Sequence, residues 1–217
     1  SITFKFFPLM KDTRGAAETI RIALDLLISE DIKYPFTYDQ MREQLDKPIL
    51  CVDADNFYTC DIINIWNGDN AVITVKDYNR DAIYSYVKVD NKNNILDIQE
   101  KVKISNNACS GAYGFSSYYD LYKYASVIIK NDKRQKGEYY TSGIIQEMIQ
   151  NDYKFKNIEI PNKNYFSLGT PKAVDEYEQP FIFDLDGTLV ITDHIYTKVW
   201  SNIMSKYNLS IDDNFFN

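Results

Sequence analysis

The sequence predicts an α/β protein built on a mixed sheet, and three observations carry that prediction. Apolar runs of strand length alternate with stretches whose apolar residues recur at helical spacing. Two of the runs end on carboxylates one residue apart, Asp53 with Asp55 and Asp184 with Asp186. One pair of alternating runs is joined by Asp90-Asn91-Lys92-Asn93-Asn94, the residue types of a hairpin turn. Carboxyl ends of strands are where open α/β sheets hold their ligands, so the acidic strand ends are the first places to look for chemistry.

Taken in order, residues 2–7 read as a short strand. Thr13-Arg14-Gly15-Ala16-Ala17-Glu18-Thr19 then delivers small residues to the start of a helix with Ile20, Ala23, Leu24 and Leu27 on its apolar face. Residues 35–46 are polar and read as irregular or helical. Residues 48–52 read as a buried strand ending on Asp53-Ala54-Asp55-Asn56. Strands follow at 71–75, 84–89 and 95–99, the last two forming the hairpin. Residues 109–115 place two glycines inside an apolar run, where backbone can approach a ligand closely. Helices are expected at 118–129 and 142–151, and short strands at 157–160 and 165–168. A charged helix-like stretch at 173–180 runs into Pro180 before a new apolar strand, which marks a boundary.

A chain of 217 residues, 45% hydrophobic, has enough apolar material for one sizeable domain or two small ones. Its formal charge of −7, with no long basic run, excludes a nucleic-acid surface and suits acidic clefts that recruit a divalent metal. Three cysteines, an odd number with no Cys-x-x-Cys pair, read as reduced thiols of a cytoplasmic protein. No apolar run approaches the ~20 residues needed to cross a bilayer, and no basic-then-apolar leader opens the chain, so no membrane partner is expected. Self-association is left open, a homo-oligomer being one outcome.

Six short segments, in order, resemble the sugar-1-phosphate nucleotidyltransferase family. They are Thr13-Arg14-Gly15-Ala16-Ala17, Val52-Asp53-Ala54-Asp55-Asn56-Phe57-Tyr58, Ile98-Gln99-Glu100-Lys101, Ala108-Cys109-Ser110-Gly111-Ala112-Tyr113, Gly137-Glu138-Tyr139-Tyr140 and Phe166-Ser167-Leu168-Gly169-Thr170-Pro171. The resemblance implies the mixed-sheet, nucleotide-diphospho-sugar transferase-like fold (of the GT-A, Rossmann-like kind), N-terminally incomplete, over about residues 2–175. It implies a nucleoside triphosphate and a sugar phosphate as substrates and Mg2+ as cofactor, with Asp55 as metal ligand. Gly15 and Ala16 would lie against the nucleotide base, Glu100 and Lys101 would contact sugar hydroxyls and phosphate, Gly111 would lie under the ring, and Glu138 would line the sugar site. Such residue types suit the reaction, because an anionic acceptor must approach a shielded phosphorus and charge neutralisation with alignment carries the rate.

Two departures qualify the resemblance. The family's glycine-rich signature loop would precede Ser1, so these residues alone are expected not to turn over. Where the family commonly has a second metal aspartate, this chain has Ser167.

Phe183-Asp184-Leu185-Asp186-Gly187-Thr188-Leu189-Val190 resembles the first motif of the haloacid dehalogenase superfamily. The resemblance implies Asp184 as nucleophile, Asp186 as general acid and base, and Mg2+ held by both. The stretch after it, with Val199, Trp200, Ile203 and Met204 at helical spacing, resembles the first cap helix of that superfamily. The expected organisation is therefore a partial nucleotidyltransferase domain at 1–175, a linker at 176–180 and the opening of a haloacid dehalogenase-like domain at 181–217.

The function these resemblances imply is part of a bifunctional enzyme of nucleotide-sugar and surface-glycan biosynthesis, with an appended phosphatase or phosphomutase-like domain. The alternative is a phosphatase whose nucleotidyltransferase part only binds a sugar nucleotide. A third class is a non-catalytic assembly module.

Overall fold

The structure is a computed structural model and describes residues 6–31, 46–177 and 193–207. The chain divides into two units, Ser1–Asp175 and Glu176–Asn217. In chain order the described elements are α1 (Ala16–Asp31), β1 (Ile49–Val52), β2 (Asn56–Tyr58), α2 (Ile62–Ile65), β3 (Ala71–Lys76), β4 (Ser85–Val89), β5 (Ile95–Glu100), β6 (Asn107–Phe115), α3 (Tyr118–Lys130), α4 (Thr141–Gln150), β7 (Lys156–Glu159), a 3-10 turn (Asn162–Asn164), β8 (Tyr165–Ser167), α5 (Pro171–Glu176) and α6 (Asp193–Lys206).

β6 is the spine. Its nine residues are all buried, which requires small or apolar side chains on both faces and explains why Ala108, Cys109, Ser110, Gly111, Ala112 and Gly114 crowd this run. β3 pairs antiparallel along one edge of β6, while β4 and β1 share the other. β5 pairs with β4, and β7 runs parallel to β3, so the six-stranded sheet is mixed.

Alternation along the strands sorts the core into two layers. Val72, Val87, Ile98, Tyr113 and Phe115 face one way and pack with Ala17 and Leu24 of α1, Leu121 and Ile128 of α3, and Ile144 and Met148 of α4. Their neighbours Ile73, Tyr86 and Ala112 face the other way and meet Ile62 of α2 and Ile160. Ser117 caps α3, its hydroxyl accepting from the Asp120 amide at 3.3 Å. The hairpin turn is as the sequence predicts: Asp90 accepts the Lys92 and Asn94 amides on Oδ1, both at 2.8 Å, and Asn93 takes the left-handed conformation at φ 59°.

Residues 48–52 are not the buried strand that their apolar run predicts. Among the described residues β1 pairs with β6 alone, and Val52 is 45% exposed. β2 and β8 form a separate two-stranded ribbon, too short to show as alternation in the sequence. The expected segments 2–7 and 35–46, and the motif at 183–190 with Asp184 and Asp186, lie outside the described residues apart from Phe6, Phe7 and Asp46. In the second unit α6 is the described helix, and Val199 and Ile203 on it are exposed. Among the described residues no helix is long and apolar enough to cross a membrane.

Candidate active site

The site begins at an irregularity in β6. Ile73 of β3 faces Ala112 but Thr74 faces Cys109, so Ser110 and Gly111 are extra residues on the spine. Gly111 sits at φ +83°, and its carbonyl accepts the Asp53 amide at 2.8 Å. A Cβ there would lie 2.7 Å from Asp53 Oδ2 and closer still to the Asn56 amide nitrogen. Only glycine provides both the conformation and the space, and its absence of side chain is what seats Asp53 on the sheet.

From Asp53 the chain turns through Asp55 into the β2–β8 ribbon. Asn56 stands opposite Ser167, and the Leu168 amide donates to the Asp55 carbonyl at 2.8 Å. The Tyr165 hydroxyl donates to Asn56 Oδ1 at 3.1 Å, and the Tyr58 hydroxyl donates to the Ser110 carbonyl. Gly169 backs onto Asp55 so closely that a Cβ would collide with its Oδ2. The ribbon thereby fixes Asp55 beside Ser167 and against the bulge.

The opposite wall is the end of β5. Glu100 is 7% exposed, and its Oε2 accepts the Ser142 hydroxyl at 2.8 Å and the Ser85 hydroxyl. Lys101 then adopts φ 51°, which turns its side chain away so that Nζ donates to the Tyr140 hydroxyl at 3.0 Å. Gly15 (φ +128°) presses on Tyr139, where a Cβ would lie 2.6 Å from the carbonyl oxygen. The Ala17 amide donates to that same oxygen at 2.9 Å. The start of α1 is in this way locked to the segment that begins α4.

These walls enclose a cleft of about 480 Å³. Ala16, Asp55, Glu100, Lys101 and Gly111 line it together, drawn from segments far apart in sequence. Gly15 and Glu138 do not line it. Gly15 is spent on the contact with Tyr139, and Glu138 is exposed, its backbone paired with Gln135. Sequence reasoning did not select Asp53, Ser85, Ser142, Tyr84 or Tyr165, which also line the cleft. The signal for Asp53 was present, since it stands two residues before Asp55 at a strand end. Ser142 carried none, because its position depends on how α4 meets β5.

Electrostatics single out Asp53. Burial, then the Asp55 and Glu100 carboxylates, push its carboxyl up to about 6. A group with like-charged neighbours and, among the described residues, no cationic partner is one awaiting a counter-charge. Asp53 and Asp55 offer hard oxygen donors suited to Mg2+, and the space at Gly111 and Gly169 that a Cβ would fill leaves their carboxylates accessible. Among the described residues no cluster gathers three or more His, Cys, Asp or Glu. The protein would thus supply two carboxylates, leaving phosphate and water to complete the shell, as Mg2+ commonly has it.

The fold is that of nucleotidyltransferase-like proteins, a mixed α/β sheet with a cleft at the strand ends. The nucleoside-diphosphate-sugar pyrophosphorylase from Vibrio cholerae RC9 superposes with a TM-score of 0.62 at 20% identity, over 77% of this chain and 66% of that one. A Bacillus anthracis protein described as a glucose-1-phosphate thymidylyltransferase superposes with a TM-score of 0.51 at 15% identity, over 80% of this chain and 65% of that one. In sequence, the chain is 26% identical over 133 residues to the bifunctional protein GlmU of Methanococcus aeolicus, 60% of this chain and 31% of that protein. It is 26% identical over 137 residues to the GlmU of Campylobacter hominis, with the same coverage. The chain therefore spans about a third of the curated relatives it matches. No protein-family model matches it.

Proposed function

We propose that the first unit is part of an enzyme that transfers a nucleotidyl group from a nucleoside triphosphate to a sugar 1-phosphate, within nucleotide-sugar and surface-glycan biosynthesis in the cytoplasm. The observation that carries this reading is the meeting of Ala16, Asp55, Glu100, Lys101 and Gly111 in one cleft. The acceptor phosphate would attack the α-phosphorus as the bond to pyrophosphate breaks, so the task of the protein is to align two anions. Lys101 supplies a point charge for the acceptor phosphate, and the start of α1 at Ala16 receives the base. The bare backbone at Gly111 lets the acceptor ring lie on β6, and Glu100 accepts from its polar substituents. Mg2+ held by Asp55 and Asp53 would neutralise phosphate charge.

The test is Mg2+-dependent nucleotide binding by the full chain, and pyrophosphate release by the gene product that contains it, across the four ribonucleoside triphosphates and dTTP. Asp55→Ala is expected to lower either signal about 100-fold, by analogy with loss of one electrostatic group at a reacting centre. Binding that is indifferent to Mg2+ and to Asp55 would overturn the reading.

A second reading is favoured by Ser167, which stands opposite Asn56 beside Asp55 and offers a hydroxyl where a carboxylate would complete a metal site. In that reading the cleft only binds a sugar nucleotide and the chemistry belongs to residues 181–217. Ser167→Asp separates the two. It should create or raise turnover if the cleft is degenerate, and change it little if Asp53 already serves.

We propose, on the motif at 183–190, that the second unit opens a haloacid dehalogenase-like phosphatase or phosphomutase, with Asp184 as nucleophile, Asp186 as acid and base, and Mg2+ as its cofactor. Phosphate release from sugar phosphates by the gene product, lost in Asp184→Asn, is the expected outcome.

A further inference from the structure

We infer that the acceptor carries a protonated amine seated against Glu100, so that the phosphate ester taken by this cleft is a zwitterion. The inference rests on the nucleotidyl-transfer reading and narrows its substrate class to amino-sugar phosphates or amino-alcohol phosphates. It begins with an imbalance at Glu100. The residue is 7% exposed, yet it forms no ion pair among the described residues. Both hydroxyls that reach it, from Ser85 and Ser142, donate to the same oxygen, Oε2. No side chain or amide of the described residues donates to Oε1, and Glu100 lines the cleft.

A buried carboxylate without a cation is costly. Two hydroxyl donors, one of them on the amino-terminal turn of α4, meet Oε2 and leave Oε1 to the cleft. Lys101, the neighbouring cation, feels Glu100 through space but makes no ion pair with it, because its Nζ is taken to Tyr140 and the residue is exposed. A ligand hydroxyl at Oε1 would satisfy a lone pair and leave the charge unbalanced. An ammonium satisfies both, through a charge-assisted hydrogen bond.

The whole cleft points the same way. Its described lining holds Asp53, Asp55 and Glu100 against Lys101 alone. An acceptor that brings its own positive charge adds less repulsion to this wall than one that brings only phosphate.

Calorimetric titration of the full chain, with Mg2+ and the nucleotide it binds best, tests this with pairs that differ in the amine alone. Glucosamine 1-phosphate is compared with glucose 1-phosphate, and phosphoethanolamine with 2-hydroxyethyl phosphate. The amine member of at least one pair is expected to bind about 10-fold tighter or better, and the pair that responds identifies the source as amino sugar or amino alcohol. N-acetylglucosamine 1-phosphate, in which the charge is removed from the ligand, should lose the preference without any change to the protein. Glu100→Gln, checked for folding by circular dichroism, should bring the responding pair to within about twofold, and Glu100→Asp, which keeps a carboxylate, should retain part of the preference.

Equal or tighter binding of the neutral member in both pairs overturns the inference, as does a preference that survives Glu100→Gln. If the neutral esters bind and pyrophosphate is released, nucleotidyl transfer stands and the ammonium assignment falls. If no nucleotide binds, the transfer reading itself falls.

Discussion

Two aspartates of this domain, Asp77 and Asp53, sit on loops that leave the same sheet and have opposite surroundings. Asp77 is 5% exposed and fully engaged. The Tyr86 hydroxyl donates to Oδ2 at 2.6 Å, Lys103 Nζ approaches the same oxygen at 3.3 Å, and the Asn79 amide donates to Oδ1 at 2.9 Å. Burial by itself would raise its carboxyl, and these three donors outweigh that and hold it below the ordinary value. Asp53 has burial and two carboxylates for neighbours, and rises to about 6. One site is complete as folded, and the other becomes complete on adding positive charge. The difference separates an acidic group that maintains the fold from one kept for a ligand.

Three substitutions would sharpen or break this contrast. The largest effect is expected at Gly111→Ala, which imposes a side chain at φ +83° and drives a methyl into Asp53 and Asn56. A loss of about 3 kcal/mol in urea unfolding is expected, together with weaker nucleotide binding. A tolerated alanine would show that the bulge does not set Asp53.

Asp77→Ala comes next. It leaves the hydroxyl of fully buried Tyr86 with the distant Asp81 carbonyl at 3.5 Å and removes the carboxylate partner of Lys103, at a cost of about 2 kcal/mol with nucleotide binding unchanged. Because the folded carboxyl is depressed, its stabilisation is present above the unfolded value and lost as pH falls through the folded one.

The smallest and most diagnostic effect is at Asp53→Asn, whose sign is opposite. With the folded value raised from 3.8 to about 6, the folded state holds a proton that the unfolded state has released between those pH values. Stability from this group therefore declines as pH rises from about 4 to about 6, and at neutral pH the ionised carboxylate is a standing penalty. The asparagine variant should gain about 1 kcal/mol at pH 7, discounted for partial solvent screening, and little at pH 4. A variant less stable than the parent at pH 7 would mean that Asp53 has a favourable partner in the folded protein.

Much of the scaffold was legible in the sequence for local reasons. The turn at 90–94 announces itself through Asp90 and Asn93, and the helices through the spacing of Leu24, Leu121 and Ile144. The double-faced burial of β6 shows in its run of small residues. Less legible were features set by distant partners. The apolar run at 48–52 predicts a buried strand, yet Val52 is half exposed, and β1 meets β6 on the edge that β4 also uses. Glu100 beside Lys101 looks like a solvated charge pair in sequence, and only the arrival of Ser85 and Ser142 makes one of them buried and the other exposed. The motif segment at 137–140 points to the right place, but Tyr140 reaches the cleft and Glu138 does not.

The cleft runs from Ala16 at the start of α1 to Thr170 past β8, and no single stretch of neighbouring residues builds more than a short part of it. Occupancy and global unfolding are therefore linked, and a ligand at a hundred times its dissociation constant should add about 2.7 kcal/mol to the folded state. The melting temperature of this chain is thus a sensor for whatever fills the cleft, and a thermal-shift screen of phosphate esters and nucleotides reads it directly.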